Sequence, residues 1–331
     1  MKVLQIGCGS MGKRRIRNFQ FHGVKDITVY DKREDRIKEA VERYGVTPAV
    51  SFNSINWDEV THVSISTPPD LHMGYAIEAA KRNKHTFIEA SVVDNRMDEL
   101  MALKKNTDCV IAPSCTMRYD ALVVKAKELI DSEALGEIIF ANHYFGQYLP
   151  YWHPYEDIKD FYVSNYETGA AREIVPFDLV FLVWLLGRPS QITALKKNSG
   201  TLGVNIDDIY SVLMNTDKGC QLHLTIDVLS KVSYRDTRII GSKGNIEIDF
   251  VKGELRYFSS DTGSWKIFRR DSMKTTVSSE EMYVLEIKAF LEASAGGAPF
   301  PYTLEEDEEI LSYLYAAEQA FSESSIVRVK Q

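Results

Sequence analysis

Val3-Leu4-Gln5-Ile6-Gly7-Cys8-Gly9-Ser10-Met11-Gly12-Lys13-Arg14-Arg15 is the stretch that decides how this chain folds. A short β-rich run, residues 3–6, empties into glycines at 7, 9 and 12, and a polar stretch of helical composition follows to about residue 22. Each glycine has a task in such a turn. Gly7 permits the tight bend, Gly9 lets the backbone approach a pyrophosphate, and Gly12 lets the helix pack close to the strand. The helix start, with Ser10 and Met11, offers N–H donors and partial positive charge to phosphates. Asp31 ends the next strand-like run, roughly 20 residues past the glycines, where a carboxylate accepts hydrogen bonds from an adenosine ribose. Gly7, Gly9, Ser10, Met11, Gly12 and Asp31 together predict a site for NAD or NADP. Asp31 favours NAD by repelling a 2′-phosphate, whereas Lys32 and Arg33 directly after it are able to hold one; NAD is the preferred reading.

Outward from this turn, strand-like and helix-like runs alternate through about the first 120 residues. Strands are read at 3–6, 27–30, 61–66, 86–88 and 110–111, and helices at 33–44 (stopped by Gly45), from Asp70 to about 80, and at 97–105. That alternation predicts βαβ units with right-handed crossovers, a doubly wound parallel sheet of Rossmann type over residues 1–119. The rhythm then changes. A helix at 121–130 is followed by strands at 138–144, 191–195, 209–215, 221–228, 238–240, 246–250 and 255–258, with a buried helix at 173–186 and a closing one at 304–323. Residues 120–331 are expected to form an α+β domain with a mostly antiparallel sheet.

Composition narrows the partners. The 331 residues are 44% hydrophobic and 26% charged with a net charge of −8, an ordinary globular balance without a long basic tract for nucleic acid. Cys8, Cys109, Cys115 and Cys220 lack metal-type spacing, so no metal site is expected, and scattered cysteines suit a reducing cytoplasm. The opening residues read as a strand, not a leader. The most apolar run, 174–186, holds Pro176 and Asp178 and is too short to span a bilayer. A cytoplasmic homodimer or homotetramer acting on a small molecule, with no nucleic-acid or membrane partner, is the resulting expectation.

A second set of motifs carries a resemblance. Val63-Ser64-Ile65-Ser66-Thr67-Pro68-Pro69-Asp70-Leu71-His72 is followed by Ala79-Ala80-Lys81-Arg82-Asn83-Lys84-His85-Thr86-Phe87-Ile88-Glu89 and Met117-Arg118-Tyr119. Gly136-Glu137-Ile138, Trp184-Leu185-Leu186-Gly187 and Gly241-Ser242-Lys243-Gly244 come next, before the closing helix. In order and spacing, over essentially the whole chain, these motifs resemble the glucose–fructose oxidoreductase / inositol dehydrogenase / MocA family. The resemblance implies NAD(P)-dependent redox chemistry, usually on sugars, cyclitols or nucleotide sugars. It adds Thr67, Pro68 and His72 to the cofactor site. Glu89, at the carboxyl end of a strand, is expected to orient groups around the nicotinamide, and Arg118 to reach a phosphate or Glu89, the plainer alternative being an interdomain ion pair.

The chain departs from the family where proton transfer is expected. Family members carry Glu-Lys-Pro after this strand, the lysine being the proton-transfer residue; here the segment reads Glu89-Ala90-Ser91. Counting back from Trp184, Glu173 occupies the usual Asp position and Phe177 the usual His position. Oxidising an alcohol needs a group to take the hydroxyl proton, worth roughly 10²–10⁴ in rate. Three readings follow: replacement residues, a catalytically inactive dinucleotide-binding sensor or partner subunit, or redox-neutral use of a bound NAD. Replacement candidates are His153, Lys159 and Tyr162 in an aromatic-rich loop, and Glu173, whose apolar successors would desolvate its carboxylate. Each has a plainer role: packing for His153 and Tyr162, a solvated surface position for Lys159, and a helix-start or Arg172-paired position for Glu173.

Overall fold

A computed structural model describes residues 1–270 and 280–329. It divides the chain into one unit of Met1–Thr116 with Glu280–Glu309, and another of Met117–Ser279 with Ile310–Gln331.

The first unit is built on six strands, β1 (Lys2–Ile6), β2 (Asp26–Tyr30), β3 (Thr47–Pro48), β4 (His62–Ile65), β5 (His85–Ile88) and β6 (Ile111–Pro113). All pairs are parallel, in the order β3-β2-β1-β4-β5-β6. Parallel sheets covered on both faces need strands apolar on both sides, and Val3, Leu4, Ile6, Val63, Ile65, Phe87 and Ile88 are all fully buried. The crossovers are α1 (Ser10–Phe21), α2 (Glu34–Tyr44), α3 (His72–Ala80) and α4 (Met97–Lys104). Gly45 ends α2 in the left-handed region at φ +65°, a conformation a side chain would oppose.

The second unit opens with α5 (Ala121–Asp131), whose first turn is capped by Asp120 accepting from Leu122 N at 2.9 Å. Among the described residues its sheet has nine strands: β7 (Ile138–Tyr148), β8 (Pro189–Lys197), β9 (Ile209–Thr216), β10 (Gln221–Asp227), β11 (Leu229–Gly241), β12 (Gly244–Asp249), β13 (Glu254–Ser259), β14 (Ser264–Arg269) and β15 (Val327–Arg328). In the order β14-β13-β12-β11-β7-β10-β9-β8-β15 every pair is antiparallel except β7 with β10. The mostly antiparallel sheet is as expected. One face buries alternate residues, Tyr210, Val212 and Met214 on β9 and Leu222, Leu224 and Ile226 on β10. Against these strands packs α6 (Ala170–Leu186), which buries Leu179, Phe181, Leu182, Leu185 and Leu186 and keeps Pro176 within its length.

Two helices close the chain, α7 (Glu281–Ser294) and α8 (Leu304–Glu323). The boundary expected at 119 put both in the second domain, but α7 and the start of α8 belong to the first unit. The reason is packing: α7 buries Val284, Ile287 and Phe290, and the Phe290 ring meets Phe87 at 5.8 Å and His62 at 5.7 Å. His62 stacks on His85 at 4.9 Å, and its Nε2 lies 2.8 Å from Ser294 Oγ. Burial, with His85 beside it, pushes His62 down to about 4. An unfolded histidine protonates near 6.5, so the stability this group supports is complete above that pH and is lost as pH falls from 6.5 towards 4. Chemical denaturation at pH 7 and pH 5 is expected to show about 2 kcal/mol of loss from this site, removed by His62→Gln; identical pH profiles for both proteins would refute it. No helix among the described residues is long and apolar enough to cross a membrane.

Candidate cofactor and catalytic sites

The glycine turn lies between β1 and α1. Gly7 sits at φ +88° and donates to Tyr30 O at 2.8 Å; a Cβ there would stand 2.3 Å from Ser66 O. A Cβ on Gly12 would stand 1.9 Å from Gly7 O, so only glycine lets α1 start this close to the turn. A Cβ added at Gly9 would meet only the end of the Arg36 side chain, Nη1 at 3.5 Å, an ordinary van der Waals contact. No side chain caps α1, whose N-cap is Gly9 itself. A helix start without a side-chain cap, with a guanidinium beside its N-cap glycine, fits an anionic pyrophosphate. Asp31 is fixed beside it, Oδ2 accepting from Cys8 N at 2.6 Å and Oδ1 from Arg33 N at 2.8 Å. Lys32 is exposed, and Arg33 pairs with Asp35 at 2.6 Å. Gly12→Ala is expected to weaken NADH binding by about 5- to 150-fold, since overpacking a rigid backbone costs about 1–3 kcal/mol; titration by dihydronicotinamide fluorescence reads it, and unchanged affinity would sink the assignment.

Around the turn, Ser10 is exposed and Met11 half-buried, its Sδ 3.2 Å from Arg14 Nη1. His72 is buried, and its Nε2 lies 2.9 Å from Thr67 O, which shapes the loop carrying Thr67 and Pro68. Burial holds the His72 imidazole below its ordinary value, hence neutral near pH 7. Glu89, expected to orient groups around a nicotinamide, has its carboxylate in a two-point ion pair with Arg15, at 2.5 and 3.1 Å. Arg15 is wholly buried and also lies 2.8 Å from Glu286 on α7. Burial and the nearby Glu89 push the Glu286 carboxyl up, while Arg15 and the Thr116 hydroxyl oppose them.

In the second unit, two of the four replacement candidates meet. The Tyr162 hydroxyl donates to Glu173 Oε1 at 3.1 Å, Glu173 being half-buried in the first turn of α6. His153 packs edge-on against Tyr155 and Phe161, with Nδ1 2.8 Å from the Tyr155 hydroxyl, and Phe161 meets Tyr162 at 5.9 Å. Lys159 is exposed, its backbone N–H donating to Asp157. Arg118 is buried; its Nε donates to Val180 O at 3.1 Å and its guanidinium lies 5.8 Å from the Trp184 ring, so these contacts are with α6. Arg172 makes a two-point pair with Glu318, at 2.7 and 3.2 Å.

Two charged or polar partners of α6, Arg235 and His143, escaped the sequence reading. Asp178, fully buried, pairs with Arg235 of β11 and stands 2.9 Å from His143 Nε2, whose Nδ1 lies 2.7 Å from Thr237 Oγ1. The Arg235 guanidinium lies 5.4 Å from the Phe177 ring. The available signal was an acid inside an apolar run, which buried helices carry only when it is partnered. Arg15 had a similar signal, a charge on the core side of α1 between Gly12 and Phe19. Among the described residues no group of His, Cys, Asp and Glu is arranged to hold a metal ion.

An oxidoreductase family with an NAD-binding Rossmann fold matches residues 1–113, where the glycine turn and Asp31 lie. The GFO/IDH/MocA C-terminal domain matches residues 123–247. The chain belongs to the GFO/IDH/MocA family of oxidoreductases. Among its relatives in this family is the myo-inositol 2-dehydrogenase of Thermotoga maritima, 24% identical over 366 aligned positions, spanning 100% of this chain and 99% of that protein. Oxidoreductase P35 of Formosa agariphila is 28% identical over 145 positions, 41% of this chain and 44% of that protein. Among solved structures, a levoglucosan dehydrogenase in complex with NADH superposes with a TM-score of 0.88 at 18% identity over 100% of this chain and 99% of that one. At that identity the likeness establishes the GFO/IDH/MocA fold. Family membership makes the protein an NAD(P)-binding oxidoreductase.

Proposed function

We propose that the protein is a dehydrogenase or reductase of a sugar, cyclitol or nucleotide sugar, using NAD in preference to NADP, in which Glu173 with Tyr162 handles the substrate's hydroxyl proton. The observation that carries this reading is the hydrogen bond between Tyr162 and Glu173. Two residues chosen separately for their chemistry are coupled, as an acid–base group and its orienting partner are in hydroxyl oxidation. Bound NAD or NADP supplies the hydride acceptor or donor. The turn at Gly7, Gly9 and Gly12 and the α1 start hold the pyrophosphate, and Asp31 takes the adenosine ribose and disfavours a 2′-phosphate. Glu173 accepts the hydroxyl proton on oxidation and returns it on reduction, while Tyr162 donates to Glu173 and fixes its orientation. The names of the myo-inositol and levoglucosan enzymes support the polyol substrate class.

A second reading, a dinucleotide-binding sensor or partner subunit, is favoured by Ala90 and Phe177, neither of which can carry a proton. A panel of sugars and nucleotide sugars with NAD and NADP, followed by dihydronicotinamide absorbance, decides between them. Reduction of cofactor by one polyol supports the enzyme; tight NADH binding without turnover of any compound supports the sensor. The expected homodimer or homotetramer has a candidate face in the side of the second sheet that exposes Leu195, Leu213, Ile240 and Ile267, and the mass in solution tests it: a monomer at assay concentration removes it.

A further inference from the structure

Arg15 belongs to a polar network that no part of the reaction above uses. Its guanidinium is divided between Glu89, through Nε and Nη2, and Glu286, through Nη1. Glu286 in turn accepts from Ser114 Oγ at 3.0 Å, Cys115 N at 2.6 Å and Thr116 Oγ1 at 2.7 Å. On the other side, Glu89 Oε1 accepts from Ser66 Oγ at 3.4 Å, and Ser66 Oγ accepts from Gln5 Nε2 at 3.1 Å. Gln5 Nε2 also donates to Gly7 O at 3.0 Å. One connected set of polar contacts therefore links the glycine turn to the carboxyl ends of β4, β5 and β6, inside the first unit.

Stability alone gives little reason to keep such a cluster. Arg15 lies between carboxylates with its guanidinium 4.4 Å from the Phe87 ring, and a buried charge set of this kind is often matched by apolar residues of similar volume. The cluster is open at one edge. The Arg15 and Glu286 side chains are 0% exposed and that of Glu89 is 12% exposed. That edge lies at the carboxyl end of β5, the end of an open parallel sheet where ligands bind. Ala90, the next residue, brings no charge.

We propose that Arg15 is a positioning residue for the nicotinamide half of the cofactor: it fixes the Glu89 carboxylate at the sheet end, and Glu286 holds Arg15 from the far side. This rests on the cofactor reading above. The Arg15 side chain is 0% exposed, so its effect passes through Glu89, which follows β5 on the opposite side of β1 from β2 and Asp31, the side given to the nicotinamide half when Asp31 takes the adenosine ribose. The adenosine and pyrophosphate half is held by Asp31 and the α1 start, which the variants leave in place.

The test titrates NADH and ADP-ribose, which lacks nicotinamide, into the wild type, Arg15→Met, Arg15→Lys and Glu286→Gln. Arg15→Met is expected to weaken NADH about tenfold and ADP-ribose by less than about twofold, the loss of a charge-assisted contact. Arg15→Lys, which keeps the charge without the planar fork, falls between Arg15→Met and wild type, and Glu286→Gln weakens NADH about threefold with ADP-ribose unmoved. Should Arg15→Met fail to fold, the other two variants carry the comparison. Equal weakening of NADH and ADP-ribose overturns the proposal in favour of support for the glycine turn alone, and unchanged NADH affinity in every folded variant overturns it outright. A wild type that binds neither ligand removes the cofactor reading itself; one that binds NADH no tighter than ADP-ribose overturns only the role given to Arg15.

Discussion

Glu173→Gln is expected to lower kcat by roughly 10²- to 10⁴-fold, the range removed with a positioned general base, while NADH affinity stays within about twofold of wild type. The glutamine keeps the length and the ability to accept from Tyr162 but cannot take a proton. Tyr162→Phe removes the donor to Glu173 and leaves the carboxylate, so a smaller loss of about tenfold is expected, the worth of a hydrogen bond to a charged group. Because the two side chains touch, the double variant should be little worse than Glu173→Gln alone. Single-turnover measurements with saturating cofactor separate this from a binding defect. A Glu173→Gln enzyme that keeps more than a tenth of the wild-type rate would move the proton-handling role elsewhere, with His153 the next residue to replace.

Asp178→Ala is expected to cost about 3–5 kcal/mol of stability, the penalty for removing one partner of a buried ion pair. It leaves Arg235 beneath the Phe177 ring without its carboxylate and takes away the partner of His143 Nε2. Burial opposes ionisation of Asp178, yet Arg235 and His143 hold its carboxyl below the usual carboxylate range. Its contribution is therefore complete above pH 4 and is lost only as pH falls below the ordinary aspartate value. Asp178→Asn preserves shape and one acceptor, and should lose less. Denaturant unfolding measures both; a loss under about 1 kcal/mol for Asp178→Ala would mean that α6 is held by its apolar face alone.

The parts of the molecule that follow local rules were legible before any coordinates. β1, the glycine turn, α2 ending at Gly45, the buried helix α6 and the closing helix α8 all declare themselves through periodicity, capping or turn chemistry. Elements lacking such a signal were missed. β14 is an edge strand that is exposed along most of its length, so no alternation marks it. The first half of β11 is mostly exposed and shifts register against β7 between Leu229 and Tyr234. α7 has apolar residues at 284, 287 and 290, but Glu286 interrupts that face, and only Arg15, far away in sequence, explains why a glutamate is there. The site divides in the same way. The glycine turn and Asp31 are local and readable, and Tyr162 and Glu173 were chosen by type. The ion pair that occupies Glu89 depends on residues 15 and 286, a pairing no spacing rule supplies.

The return of residues 280–309 to the first unit also bears on how the chain is made. The strands of the nucleotide-binding sheet leave the ribosome before the second unit's, but the helix that covers Phe87 and His62, and the second carboxylate for Arg15, are encoded after residue 279. Domains ordinarily fold in the order in which they emerge. Here the unit that begins the chain stays incomplete until the whole nine-stranded sheet but its last edge strand has been synthesised.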